Sequence, residues 1–159
     1  MNKRTLLKKI LAQLQAELAV YVRASLASRT EATHESSKAE SKYDTRGLEA
    51  SYLAHGQSKQ AMEIEAAIAE FGRLEARQFA DGDAIGIGAL VQVEVGGEKS
   101  FYFLGPRAGG TEVVQDKNEI LVITPSSPLG SQLVGRRAGE SLPLTLGGGR
   151  QAAQIISVD

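Results

Sequence analysis

Glu31 to Glu49 reads EATHESSKAESKYDTRGLE. It carries five carboxylates, Glu31, Glu35, Glu40, Asp44 and Glu49, beside Lys38, Lys42, Arg46 and His34. It has no Pro, and Leu48 is its one large aliphatic residue. Helical periodicity runs into it from one side and out of it on the other. Leu7, Leu11, Leu14, Leu18 and Tyr21 are spaced 4, 3, 4 and 3 residues apart, which sets them on one helix face. The same seam continues through Ser25, Ser28 and Ala32. On the far side Ala50, Ala54, Gln57, Ala61, Ile64, Ile68 and Phe71 repeat it, with the small residues first. The two seams mirror each other, which predicts a long antiparallel helical hairpin, a coiled coil with its tip near 31–49. Leu7 is expected near Phe71, and Ser25 near Ala54. Each arm of about 30–35 residues would extend roughly 45–50 Å. Neither arm buries its stripe alone, so each needs the other. A dimeric coiled coil is the competing arrangement; the mirrored size gradient favours pairing within one chain.

Outward from the hairpin the punctuation changes. All four Pro (Pro106, Pro125, Pro128, Pro143) lie in the second half, and of 17 Gly only Gly47, Gly56 and Gly72 precede Asp81. Gly and Pro break regular structure. The chain therefore divides into a helical half, 1–79, and a globular half, 80–159, with a linker around Phe79 to Asp83. Ala89 to Val95 alternates as a half-buried strand. Gly96-Gly97 turns it into Lys99 to Leu104. Thr111 to Val114 is a further short strand, and Glu119 to Thr124 a central one. Ser126 or Ser127 caps a short helix over Pro128 to Val134, which ends at Gly135. Ser141 to Leu146 and Gln151 to Val158 are two more strands around Gly147 to Gly149. No Lys-Ser/Thr pair follows those glycines, so they read as a hairpin turn and not a phosphate loop. The fold class is α+β: a helical hairpin followed by a small antiparallel sheet with one short helix.

Composition sets limits. Over 159 residues the net charge is −1, without the footprint of general nucleic-acid or anionic-membrane binding. There is no Cys, hence no disulfide framework and no thiolate metal site, which suits a reducing cytoplasm. Lys8, Lys9 and Gln13 interrupt the N-terminal apolar run, so no signal-peptide core forms. No apolar run approaches the ~20 residues of a membrane span. A cytoplasmic protein without a membrane partner is expected.

The acidic stretch has two readings. The plain one is a solvated helix surface with ion pairs of ~0.2–0.5 kcal/mol each. The sharper one is a set of hard oxygen ligands at the end of a rigid arm, suited to a divalent cation such as Mg²⁺. His34 has no second His at a zinc-type spacing, since His55 falls on the return arm.

Ile123 to Glu140, ITPSSPLGSQLVGRRAGE, resembles the C-terminal domain of the bacterial Gre family of transcript-cleavage factors. The residues that carry the likeness are Ser127, Pro128, Leu129, Leu133, Val134, Gly135, Arg136 and Gly139. Gly86 with Ile87 to Val95 is similar to the family's entry strand. A hairpin followed by an FKBP-like sheet domain is also the family's plan. The resemblance implies a monomer that binds bacterial RNA polymerase at its secondary channel. Ser127, Pro128 and Leu129 would lie near the docking contact, and the hairpin tip would point toward the active site. Nucleic acid would be met only indirectly, inside the elongation complex. The family's tip acids help hold a second Mg²⁺, so the polymerase cuts its own backtracked RNA; the factor has no independent catalysis. Two metals stabilise the attacking and leaving oxygens of such a displacement.

The tip departs from the family. Aligned on Tyr43, its Asp-x-x-Glu pair falls on Ser36 and Ala39. Glu35 and Glu40 stand one residue away, and a one-residue shift turns a helical side chain by about 100°. Glu35, Glu40 and Asp44 are thus the candidates for any metal or active-site contact; modulation of elongation is expected, with cleavage stimulation either altered or lost. Two other functions compete. An FKBP-like prolyl isomerase or chaperone needs an aromatic-lined cavity, yet Phe101, Tyr102 and Phe103 are consecutive and alternate between faces. A structural coiled-coil adaptor would dimerise through Leu7 to Tyr21.

Overall fold

The computed structural model describes residues 1–33 and 46–159. Two long helices come first, α1 over Lys3–Thr33 and α2 over Arg46–Arg73. The rest is a six-stranded sheet with one short helix. Its elements are β1 (Leu90–Val95), β2 (Glu98–Leu104), β3 (Glu112–Gln115), β4 (Asn118–Ile123), α3 (Pro128–Leu133), β5 (Ser141–Leu146) and β6 (Gly149–Val158). The protein is thus α+β. Chain contacts divide it into two compact units, Leu14–Ile68 and Met1–Gln13 with Ala69–Asp159. No described helix is long and apolar enough to cross a membrane.

In the helical unit the seam residues whose burial is described are covered, and Ala67 beside the seam is buried too. Leu14, Ser25, Ala61 and Ile64 are buried, while Leu18, Tyr21, Gln57 and Ile68 are half-buried. α1 and α2 meet where Ser25 Oγ and Ser58 Oγ share a hydrogen bond of 2.7 Å. That is one helical turn nearer the end of α2 than the Ala54 level expected for Ser25. The hydroxyl pair satisfies a polar group that would otherwise be buried alone.

In the sheet unit the strand order is β3-β4-β2-β1-β6-β5. Antiparallel pairing throughout was the expectation, and one ladder differs. β2 and β4 run parallel, with Phe101 opposite Ile120 and Phe103 opposite Val122. The cause is burial. β4 is near-continuously apolar, with Ile120, Val122 and Ile123 all buried, so it takes the interior place beside β2. β3 alternates exposed and buried residues and is left at the edge.

Each face of the sheet has its own cover. On one face Val91, Val93, Leu104, Ile123, Leu144 and Ile155 form a core that α3 closes with Leu133. The β1–β6 register slips between Gln92 and Val93. That slip lets Ile155 and Val158 both pack against this core while Ile156 faces outward. The other face receives the first turns of α1 and the last of α2. The Phe71 and Phe103 rings lie 6.3 Å apart. Lys3 Nζ donates to Gly88 O at 3.0 Å, Lys9 Nζ to Val114 O at 2.6 Å, and Gln115 Nε2 to Asn2 O at 3.1 Å. These bonds need no sequence neighbours; they are made only when the helix start lies on the sheet.

Candidate functional site

The segment after β4 is built around one glycine. Ser127 sits in extended conformation and caps α3: its Oγ accepts from Gly130 N at 3.0 Å and donates to Thr124 O at 2.7 Å. Pro128 takes the first turn, where a missing N–H costs nothing. The cap folds the chain back so tightly that a Cβ on Gly130 would meet Thr124 O at 1.8 Å. Leu133 is fully buried in the core and Leu129 packs partly against it. Ser127 to Leu129 are therefore held rigidly, with Pro128 exposed and Leu129 half-buried.

The far end of α3 is fixed as firmly. Gly135, at φ 81°, ends the helix in the left-handed conformation that glycine adopts freely. Gly135 N donates to Ile85 O at 2.9 Å, and Ile85 N to Arg136 O at 2.8 Å. Gln132 bridges two elements, donating to Pro128 O at 2.7 Å and accepting from Thr145 N at 2.8 Å. Glu140 accepts from Arg137 N at 3.0 Å and pairs with Arg136 at 3.4 Å. Arg137 Nε reaches Gly82 O at 2.8 Å. The result is a stiff platform whose outer surface offers Pro128, Val134, Arg136 and Arg137, all exposed.

Sequence reasoning found Ser127, Pro128 and Gly135 but not the parts played by Gly130, Gln132 and Ile85. A glycine inside a helical pattern was the available signal for Gly130, since it costs stability unless packing needs it. Glu35, Glu40 and Asp44, with Ser36 and Ala39, lie outside the described residues. Among the described residues no group of three or more His, Asp or Glu is placed to hold a metal ion.

The aromatic run divides as alternation requires. Phe103 faces Phe71, and Tyr102 packs beside the core of the opposite face. These two aromatics do not line one common cavity.

A buried cation stands at the start of α1. Lys3 is only 3% exposed. Its ammonium lies 4.6 Å from the centre of the Phe79 ring, which Arg77 also approaches at 4.7 Å. Loss of hydration pulls its pKa from 10.5 down to about 8; Asp159 pushes back upward and Arg77 adds to the fall.

No protein-family model matches the chain. No curated protein matches it. Solved structures do; among them one is named the transcription factor Gfh1 and another a prokaryotic transcription elongation factor. GreA factor homolog 1 (Gfh1) of Thermus thermophilus is 22% identical over 94% of each chain, with a TM-score of 0.40. Gfh1 of Thermus aquaticus is 23% identical over 99% of this chain and 94% of its own, with a TM-score of 0.41. The elongation factor GreA/GreB of Nitrosomonas europaea is 22% identical over 60% of this chain and 78% of its own, with a TM-score of 0.37.

Proposed function

We propose that this chain is a Gre-like transcription elongation factor that acts as a monomer on bacterial RNA polymerase. In this reading the globular half, 80–159, is an FKBP-like head that docks at the rim of the secondary channel through Ser127, Pro128 and Leu129. The helical half, 1–79, is a coiled-coil hairpin that carries its tip toward the active site. The single observation that supports it best is the agreement between motif and geometry at Ser127 to Gly135. The residues that resemble the family motif also cap, pack and terminate α3, and leave a rigid, exposed platform.

The tip decides what the factor does once docked. With Ser36 and Ala39 in place of the family's acid pair, modulation of elongation fits better than stimulated cleavage. Glu35, Glu40 and Asp44 are the side chains that would meet the active site, or a Mg²⁺ shared with the polymerase.

The test is RNA cleavage in a backtracked bacterial elongation complex. Wild type and a Glu35→Ala/Glu40→Ala/Asp44→Ala variant are compared, alone and against an authentic Gre factor. The expected result is little cleavage by the chain itself and inhibition of the authentic factor's cleavage. Absence of binding to the polymerase at micromolar concentration would sink the proposal. Effects on transcription that survive all three substitutions would sink the assignment of the tip acids.

A further inference from the structure

The β3 edge is the least finished surface of the sheet unit. β3 is an outer strand, and Gln115 and Asn118 close a two-residue turn with β4. Antiparallel pairing alternates, so Glu112 and Val114 direct their N–H and C=O groups away from β4. The Val114 carbonyl confirms that direction, since it accepts from Lys9 Nζ at 2.6 Å. Two hollows flank the strand. One, of about 530 Å³, includes Lys9, Ala12, Val113 and Val114 in its lining. The other, of about 470 Å³, is lined in part by Lys99, Tyr102, Lys117 and Leu121. Glu112 and Glu119 belong to both. Each carboxylate is exposed, and neither has a hydrogen bond or ion pair among the described residues.

Register places the two carboxylates on the same face. Glu112 stands opposite Leu121, and Glu119 opposite Val114. Val114 adds an apolar side chain, 57% exposed, to that face. A strand laid along β3 would project every second side chain toward it. We propose that the β3 edge receives an extended basic segment of a protein partner, added as a further strand with Lys or Arg over Glu112 and Glu119. Main-chain bonds to an edge supply affinity, and the alternate side chains supply selectivity. Charge favours a basic segment at the first hollow, where the carboxylates of Glu112 and Glu119 outnumber the Lys9 ammonium; in the second hollow Lys99 and Lys117 balance them. In the free protein Lys9 guards the edge, as lysines commonly do on open strands, and it must yield when the segment binds. The inference does not depend on the polymerase reading, because the edge and its two acids stand apart from α3.

The experiment uses the full chain labelled with ¹⁵N and a short blocked peptide alternating Lys and Val. A Glu-Val peptide serves as the opposite-charge control. The basic peptide should move the Glu112 and Val114 amide resonances saturably, and the acidic peptide should bind about tenfold more weakly or not at all. Glu112→Lys/Glu119→Lys should weaken the basic peptide by about tenfold or more. Lys9→Met should tighten it several-fold. Val114→Pro removes an outward N–H and should abolish binding while distant resonances stay in place. No saturable shift up to millimolar peptide, equal affinity for the two peptides, or indifference to the charge reversal would each overturn the proposal.

Discussion

Gly130 is constrained by its near neighbours in the chain, and Lys3 by groups far along it. A Cβ at Gly130 would sit 1.8 Å from Thr124 O and 2.8 Å from Ser127 Oγ, and the backbone oxygen cannot move without breaking the cap. Gly130→Ala should therefore cost about 3 kcal/mol or more. The check is a urea unfolding curve, and an unchanged midpoint would contradict the packing. Lys3 makes a prediction in pH. Folding lowers its pKa from 10.5 to about 8, so between those values the unfolded chain holds a proton that the folded chain has released. Stability from this group must then rise with pH across that window. Below about pH 8 the charge is buried at full cost; above 10.5 it is absent from both states. Comparing the stability of wild type and Lys3→Met at pH 7 and at pH 10 isolates the effect, because the other titrating groups are common to both. The wild type should gain on the variant as pH rises. A constant difference would mean that Lys3 stays hydrated.

At the scale of elements, turn chemistry separates the two hairpins that contain Gly pairs from the one that does not. Gly96-Gly97 and Gly147-Gly148 all have positive φ, as two-residue hairpin turns require. The β3–β4 turn has the same conformation at Asp116 (φ 51°) and Lys117 (φ 65°), where side chains resist it. Asp116→Asn/Lys117→Gly should therefore stabilise the sheet unit by about 1 kcal/mol, read as a rise in Tm. A fall in Tm would show that Asp116 or Lys117 contributes more than its strain costs. The same turn explains why β3 was expected at Thr111 to Val114 and is found at Glu112–Gln115. Without a glycine pair nothing in the local sequence marks where β3 must stop.

At the scale of the molecule, the two units differ in what they bury. Leu14–Ile68 buries the small residues Ser25, Ala61 and Ala67 beside Leu14 and Ile64, whereas the sheet closes over Phe103, Leu104, Ile120 and Ile155. Amide hydrogen exchange should thus be slowest in β1, β2 and β4 and faster over 14–33 and 46–68. Equal protection in both would refute that ranking. Among the things the sequence determined by itself are the helical periodicity, the strand positions apart from the end of β3, and the glycine turns. It also determined the Ser127-Pro128 helix start. Each depends on backbone sterics or side-chain period within a few residues. The tertiary structure alone decided that β4, not β3, lies beside β2, because that choice depends on which strand can be buried on both faces. It alone decided that Lys3 is stripped of water beside Gly88 and Phe79. Those outcomes come from groups brought together across the fold, and no local pattern in the chain encodes the meeting.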